Sequence, residues 1–234
     1  TENVLCGFLC PDNLDKKDTR ALKQKVINTK GEIIFAKALI FFEGETEEQA
    51  LPIFAEHYFG YNPISLGLEF VGVGGCGNYF PFVYLAEQFN IPWYIFSDGE
   101  AETKKNVLKT YNKIFGKREI DFNNIQNIFV IPNNADFEKM LLDEHYESEI
   151  ESCLNELLNN SSSVDDYIEK NQGTVINRTK TDRVCPVCHQ NIYVDNIRDF
   201  LTFDGRLKAM DELMEKNKTN FAPLISEKII TCDK

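Results

Sequence analysis

The chain is short of positive charge: 25 Lys and Arg stand against 37 Asp and Glu, giving a net charge of −12 over 234 residues. Binding along a phosphate backbone draws on Lys and Arg. A broadly basic nucleic-acid surface is therefore excluded, unless acids gather around cations that reverse the local sign. No apolar run approaches the roughly 20 residues that span a bilayer, and residues 1–15 lack the basic and apolar stretches of a secretory signal. The expectation is a cytoplasmic protein without membrane contact. Seven cysteines, an odd number, argue for thiols or a partial metal site over a disulfide framework. The glycines at 72–77 are not followed by the Lys and Ser/Thr of a phosphate-binding loop, so this segment is not read as an ATPase. No Asp-x-Asp-x-Thr/Val nucleophile motif closes any strand, which counts against a phosphotransfer domain. His57 and His145 lie in helical stretches without paired partners and read as surface or packing residues.

What the chain does have is a core and an alternation. Hydrophobic residues make up 43% and aromatics 12%, enough for a large domain or a domain with an appendage. Residues 14–37 are charged and helix-compatible, and 38–42 (ALIFF) form an apolar run of strand length. Further apolar runs at 68–73, 92–96 and 125–131 alternate with helical segments at about 79–90 and 102–115. Strands and helices in this order imply βαβ units and a parallel sheet.

The acids fall at the ends of those runs. Glu43 ends the first, in Glu43-Gly44-Glu45-Thr46-Glu47, where an unpaired carboxylate is costly unless solvated or ligating. Thr46 can cap the helix that follows, and Pro52 falls within it as a source of a bend. Glu45, Glu47 and Glu48 also suit a helix N-terminus electrostatically. Asp98 and Glu100 follow the third run; they suit a hard cation such as Mg²⁺ or Mn²⁺, although Asp-Gly is also an ordinary turn pair. Asp136 and Glu138 follow the fourth, where Asp136 could equally be an N-cap. Ligands of open α/β sheets sit outside the carboxyl ends of the strands, so all three groups can converge on one sheet edge.

The ordered set, with Gly74-Gly75 between the first and third motifs, resembles the Toprim domain. More narrowly, residues 35–52 (FAKALIFFEGETEEQALP) resemble the catalytic region of OLD family nucleases, which include the nuclease subunit of Gabija-type anti-phage systems. The similarity covers roughly residues 31–142 and resumes near Lys218. It implies that Glu43 and Glu47 are the acids of the first motif and Asp98 the aspartate of the third. Glu100 stands where the family commonly has Asp, and Asp136 and Glu138 match its later acidic motif. Lys218, before Phe221-Ala222, matches its C-terminal lysine, with Lys216 a competitor. Glu45 and Glu48 are then solvated charges. Phosphodiester hydrolysis needs an activated water and a stabilised leaving oxygen, which two divalent ions about 4 Å apart can serve. One partition sets Glu43, Asp98 and Glu100 around one ion and Glu47, Asp136 and Glu138 around the other, with the lysine opposing phosphate charge.

The expectations are these. Residues 1–37 are a helical lead-in, 38–160 a Toprim-like α/β domain with a parallel sheet flanked by helices, and 161–234 a mostly helical appendage carrying a CxxC segment and the lysine. Ser161 to Ser163 read as a linker or loop tip, residues 172–183 are structurally ambiguous, and helices follow from about Asp195 to Ile230. The activity is a DNA endonuclease with two Mg²⁺ or Mn²⁺ ions, in anti-phage defence or DNA processing. The resemblance implies as partners DNA, an upstream ATPase domain, which a chain that begins on Thr1 and not Met fits, and further copies through the full-length protein. The alternative is a catalytically silent Toprim module that binds nucleic acid or a partner protein. Cys185 and Cys188, with adjacent His189, look like half of a structural Zn²⁺ site, which Cys6, Cys10 or Cys232 could complete.

Overall fold

The computed structural model describes residues 7–28, 31–116, 125–158 and 162–232. It divides into two compact units, Thr1–Met140 with Ala222–Lys234, and Leu141–Phe221.

The first unit is built on a parallel sheet of β1 (Ala38–Phe42), β2 (Leu68–Gly72), β3 (Trp93–Ser97) and β4 (Ile128–Val130), in the order β2-β1-β3-β4. Leu39 lies beside Glu69 on one side and Trp93 on the other, so β1 is interior to the sheet. That position explains its composition: Leu39, Phe41 and Phe42 are fully buried, as a strand covered on both faces requires. Helices α1 (Lys16–Asn28), α2 (Glu45–Phe59), α3 (Tyr79–Gln88), α4 (Ala101–Phe115) and α5 (Phe137–Asp143) connect and cover the strands. Leu39, Phe41, Val71, Trp93, Ile95 and Ile128 pack with Leu22 of α1, Phe82 and Val83 of α3 and Val107 of α4 in one core. Phe54 of α2, Phe96 of β3 and Phe137 of α5 pack together elsewhere, with ring centroids 6.5 and 6.1 Å apart. Pro52 lies inside α2, beyond its first turn.

In the second unit, α6 (Glu147–Leu157) and α7 (Val164–Asn171) precede a hairpin of β5 (Val175–Val184) and β6 (Asn191–Ile197), then α8 (Phe203–Ile230), whose residues from Ala222 on belong to the first unit. Ser163 caps α7 by accepting from the Asp166 amide at 3.1 Å. Arg206 of α8 ties α6 and α7 together through Glu151 (2.7 Å) and Asp165 (2.6 Å). Helix α8 is interrupted at Asn217, which has φ −124° and ψ 16°.

The hairpin differs from the expected helical run after Asp195. Residues 175–197 are rich in β-branched and aromatic side chains (Val175, Ile176, Thr179, Thr181, Ile192, Tyr193, Val194), and these favour an extended ribbon. Helix resumes only at Phe203. Among the described residues, no helix is long and apolar enough to cross a membrane.

Candidate metal centre

All three acidic motifs arrive at the carboxyl edge of the sheet. The strand ends are stitched first: the Ile131 amide donates to the Ser97 carbonyl at 2.9 Å, and the Gly99 amide donates to the Ala135 carbonyl at 2.7 Å. These two bonds lay the Asp98 turn against the turn that leads to Asp136. Asn133 and Asn134 make that second turn with φ of 59° and 55°, a region Asn enters more readily than most residues.

Glu43 leaves β1 and is held by hydroxyls. Its Oε1 accepts from Ser97 Oγ at 3.1 Å and from Tyr79 OH at 3.3 Å. The Tyr79 hydroxyl is also 3.3 Å from the Phe96 carbonyl, and burial raises its pKa strongly. Burial raises the Glu43 pKa too, against the lowering effect of these donors. Glu47, buried in the first turn of α2, folds back so that its Oε2 accepts from the Gly44 amide at 3.1 Å. Gly44 has ordinary extended dihedrals, φ −120° and ψ −179°. A Cβ there would sit 2.8 Å from Glu47 Oε2, so a larger residue would push the Glu47 carboxylate out of this position. Burial, followed by the charge of Glu138, raises the Glu47 pKa.

Asp98 is the focus. Burial and the negative charges of Glu47, Glu43, Asp136 and Glu138 push its pKa up to about 8. Its Oδ1 is buried without a hydrogen-bond partner. Asp136 Oδ1 accepts from the Lys139 amide at 2.8 Å, so it does cap α5, while its carboxylate comes within 4.8 Å of that of Glu138. Glu138 is buried and its Oε1 accepts from Thr46 Oγ1 at 2.7 Å. Glu100 is exposed at the N-cap of α4, and its charge acts on Glu43. Glu45 and Glu48 are exposed, as solvated charges are.

A set of oxygen donors sharing a repulsive, partly dry space, one of them unpaired, fits a hard divalent cation. The donor chemistry suits Mg²⁺ or Mn²⁺, and the raised pKa values are the expected cost of gathering such ligands without counter-charge. Gly74 and Gly75, with φ of 71° and 111°, form the turn after β2.

Sequence reasoning did not single out Ser97, Tyr79 and Thr46 as supports of the acids. A hydroxyl ending an apolar strand directly before Asp98 was the available signal for Ser97; Tyr79 had none, because α3 reaches Glu43 only through tertiary packing. Thr46→Val is expected to destabilise the protein by about 1.5–3 kcal/mol, the range for hydrogen bonds to charged groups. Urea unfolding with an unchanged m-value would measure it, and a midpoint equal to the parent's would dismiss Thr46 as a support for Glu138.

The lysines lie in the second unit. Lys218, just past the interruption in α8, pairs with Glu215 at 2.8 Å. Lys216 donates to the Tyr167 hydroxyl and stands 4.5 Å above that ring. Cys185 and Cys188 sit at the hairpin tip, while Cys6 lies outside the described residues.

Residues 34–99 match the sequence profile of the TOPRIM domain of overcoming lysogenization defect (OLD) protein-like proteins. Among solved structures, the C-terminal region of the Xanthomonas campestris pv. campestris OLD protein, phased with mercury, is similar at 20% identity and a TM-score of 0.56. That match covers 82% of this chain and 86% of the other. The C-terminal region of the Burkholderia pseudomallei OLD protein is similar at 18% identity and a TM-score of 0.53, covering 84% and 91%. No curated protein matches the chain. Residues 34–99 are thus an OLD-like TOPRIM domain, within a chain that has the fold of OLD C-terminal regions.

Proposed function

We propose that this chain is the catalytic part of a divalent-metal-dependent DNA endonuclease whose metal ligands are Glu43, Glu47, Asp98, Glu100, Asp136 and Glu138. The observation that carries the reading is the buried, unpartnered Asp98 Oδ1 among acids that repel it. An OLD-like TOPRIM domain over residues 34–99 supports nuclease-type metal binding.

The chain's own residues divide the work. Ser97 and Tyr79 orient the Glu43 carboxylate, and Thr46 orients that of Glu138. Asp98 is presented where the charges of both act on it, and Glu100 is the exposed member of the set. Bound Mg²⁺ or Mn²⁺ would supply the charge that offsets the acids, activates water and receives phosphate oxygens. Lys218 is assigned the opposing cation for phosphate charge. In the setting this reading implies, an ATPase region precedes the chain, the full-length protein self-associates, and the cytoplasmic activity serves anti-phage defence or DNA processing.

The test is supercoiled plasmid incubated with the protein in Mg²⁺, Mn²⁺ or EDTA, beside a Mn²⁺-binding titration. Metal-dependent conversion to open-circular or linear DNA, abolished by EDTA, is expected. Lys218→Ala is expected to lower the rate at least about tenfold with Mn²⁺ affinity unchanged. Stoichiometric Mn²⁺ binding without cleavage would leave a silent metal-binding module, and no Mn²⁺ uptake at millimolar concentration would end the reading.

A further inference from the structure

The β5–β6 hairpin carries chemistry that the acidic centre does not use. At its tip the Cys185 amide donates to the Gln190 carbonyl at 2.8 Å, and the His189 amide donates to the Cys185 carbonyl at 2.9 Å. His189 turns the chain back with φ 57°. Cys185 and Cys188 stand three residues apart within this loop, and the backbone amides of Cys188 and Val187, with the Cys188 side chain, lower the Cys185 thiol pKa. A CxxC spacing in a loop closed in this way is that of a zinc-ligand pair, and the lowered pKa favours the thiolate that soft divalent metals require.

We propose that Cys185 and Cys188 are a zinc half-site, completed by the same two cysteines of a second copy of this chain.

Tetrahedral Zn²⁺ takes four ligands, and the loop supplies two. Among the described residues of this unit, no third His, Cys, Asp or Glu joins the pair in a metal-sized group. Cys153, the unit's other described cysteine, is fully buried in α6. The ligand set has to be completed from outside, and the tip is built to be reached: Cys188 is exposed and Val187 is 87% exposed.

The stem of the hairpin points to a second copy as the source. It is a two-stranded sheet, an arrangement marginal in water by itself. Val175, Ile176, Tyr193, Val194 and Ile197 are all exposed along it. Arg178 and Asp195 pair with each other within the ribbon at 2.7 Å, and the same ribbon carries Lys180 and Arg183 beside Asp182, charges of both signs that a second copy can match. A twofold pairing needs one patch that matches its own copy. Two such ribbons packed face to face cover the apolar residues of the facing sides and bring four sulfurs to one point. Four thiols give up four protons to solvent as the ion binds, leaving a Zn(Cys)₄ centre of charge −2.

The experiment is zinc analysis and light-scattering mass on the whole chain, purified without chelator, then treated with a zinc-selective chelator. About one zinc per two chains is expected, with the mass falling from two chains to one when zinc is removed. Cys188→Ser is expected to do the same with an unchanged circular dichroism spectrum, and Cys232→Ser to leave zinc content and mass unaltered. Zinc below about one per ten chains would overturn the proposal. So would about one zinc per chain with a mass indifferent to chelation, a loss of zinc in Cys232→Ser, or a thiol titration showing Cys185 and Cys188 joined as a disulfide.

Discussion

Asp98→Asn is expected to lower metal-dependent DNA cleavage at least about a hundredfold while making the metal-free protein more stable. Both effects follow from the crowding around one carboxylate. In the unfolded chain Asp98 titrates near the ordinary value of 3.8, and in the folded protein near 8. A raised carboxylate favours its protonated form in the native state, so its stabilising effect is complete below about pH 4 and is lost as pH rises through 8. Melting temperature in EDTA is therefore expected to fall from pH 6 to pH 9 in the parent. Asparagine keeps the shape of the protonated acid and cannot ionise, so the variant's melting curve flattens over that range. Mn²⁺ is expected to raise the parent's melting temperature, because it binds the native state alone, and to leave the variant's nearly unmoved. Equal pH slopes in parent and variant would remove Asp98 as the focus of the repulsion.

Gly99→Ala is expected to be the most damaging single methyl group in the first unit. A Cβ at Gly99 would lie 2.0 Å from the Ile131 carbonyl oxygen and 3.0 Å from that of Ala135. Both obstacles are backbone, so no side-chain rotation relieves the contact. The β3 and β4 ends must part, which strains the 2.7 Å bond from the Gly99 amide to Ala135 and moves Asp98 away from Asp136 and Glu138. Overpacking of this kind typically costs 1–3 kcal/mol, and the upper end corresponds to a loss of about 6–12 °C in melting temperature for a chain of this size. Cleavage is expected to fall further than folding, because the acids no longer share one space. Gly77→Ala is the control: a Cβ there meets nothing within 4 Å, and its φ lies outside the left-handed region. Thermal melts of the two variants side by side decide the matter, and a parental melting temperature in Gly99→Ala would show that the strand ends part freely.

Strand β1 was legible in the sequence because a strand covered on both faces must be apolar throughout, and residues 38–42 are. Strand β4 is shorter than its apolar run, 128–130 within 125–131, since pairing with β3 extends only from Ile95 to Ser97. The meeting of Glu43, Asp98 and Glu138 was legible for a topological reason: each follows a strand of one parallel sheet, and parallel strands end at the same edge. What supports those acids was not legible. Tyr79 reaches Glu43 across packed layers, and the bond from the Gly44 amide depends on where Glu47 points; neither leaves a mark in spacing or composition. The β5–β6 ribbon was obscured differently, because residues exposed on both faces show no alternation to read.

The acidic cluster also has a kinetic meaning. Thr46 and Glu138, which share a hydrogen bond, are 92 residues apart in the chain, and Glu43 and Ser97 are 54 apart. Contacts of such long range form slowly, since the intervening loops must close before they reward the closure. The carboxylates of Glu43, Asp98 and Glu138 remain scattered until the parallel strands have found one another. Chemistry that depends on their company is silent in a nascent or partly unfolded chain, so completion of the fold is itself the first control on it.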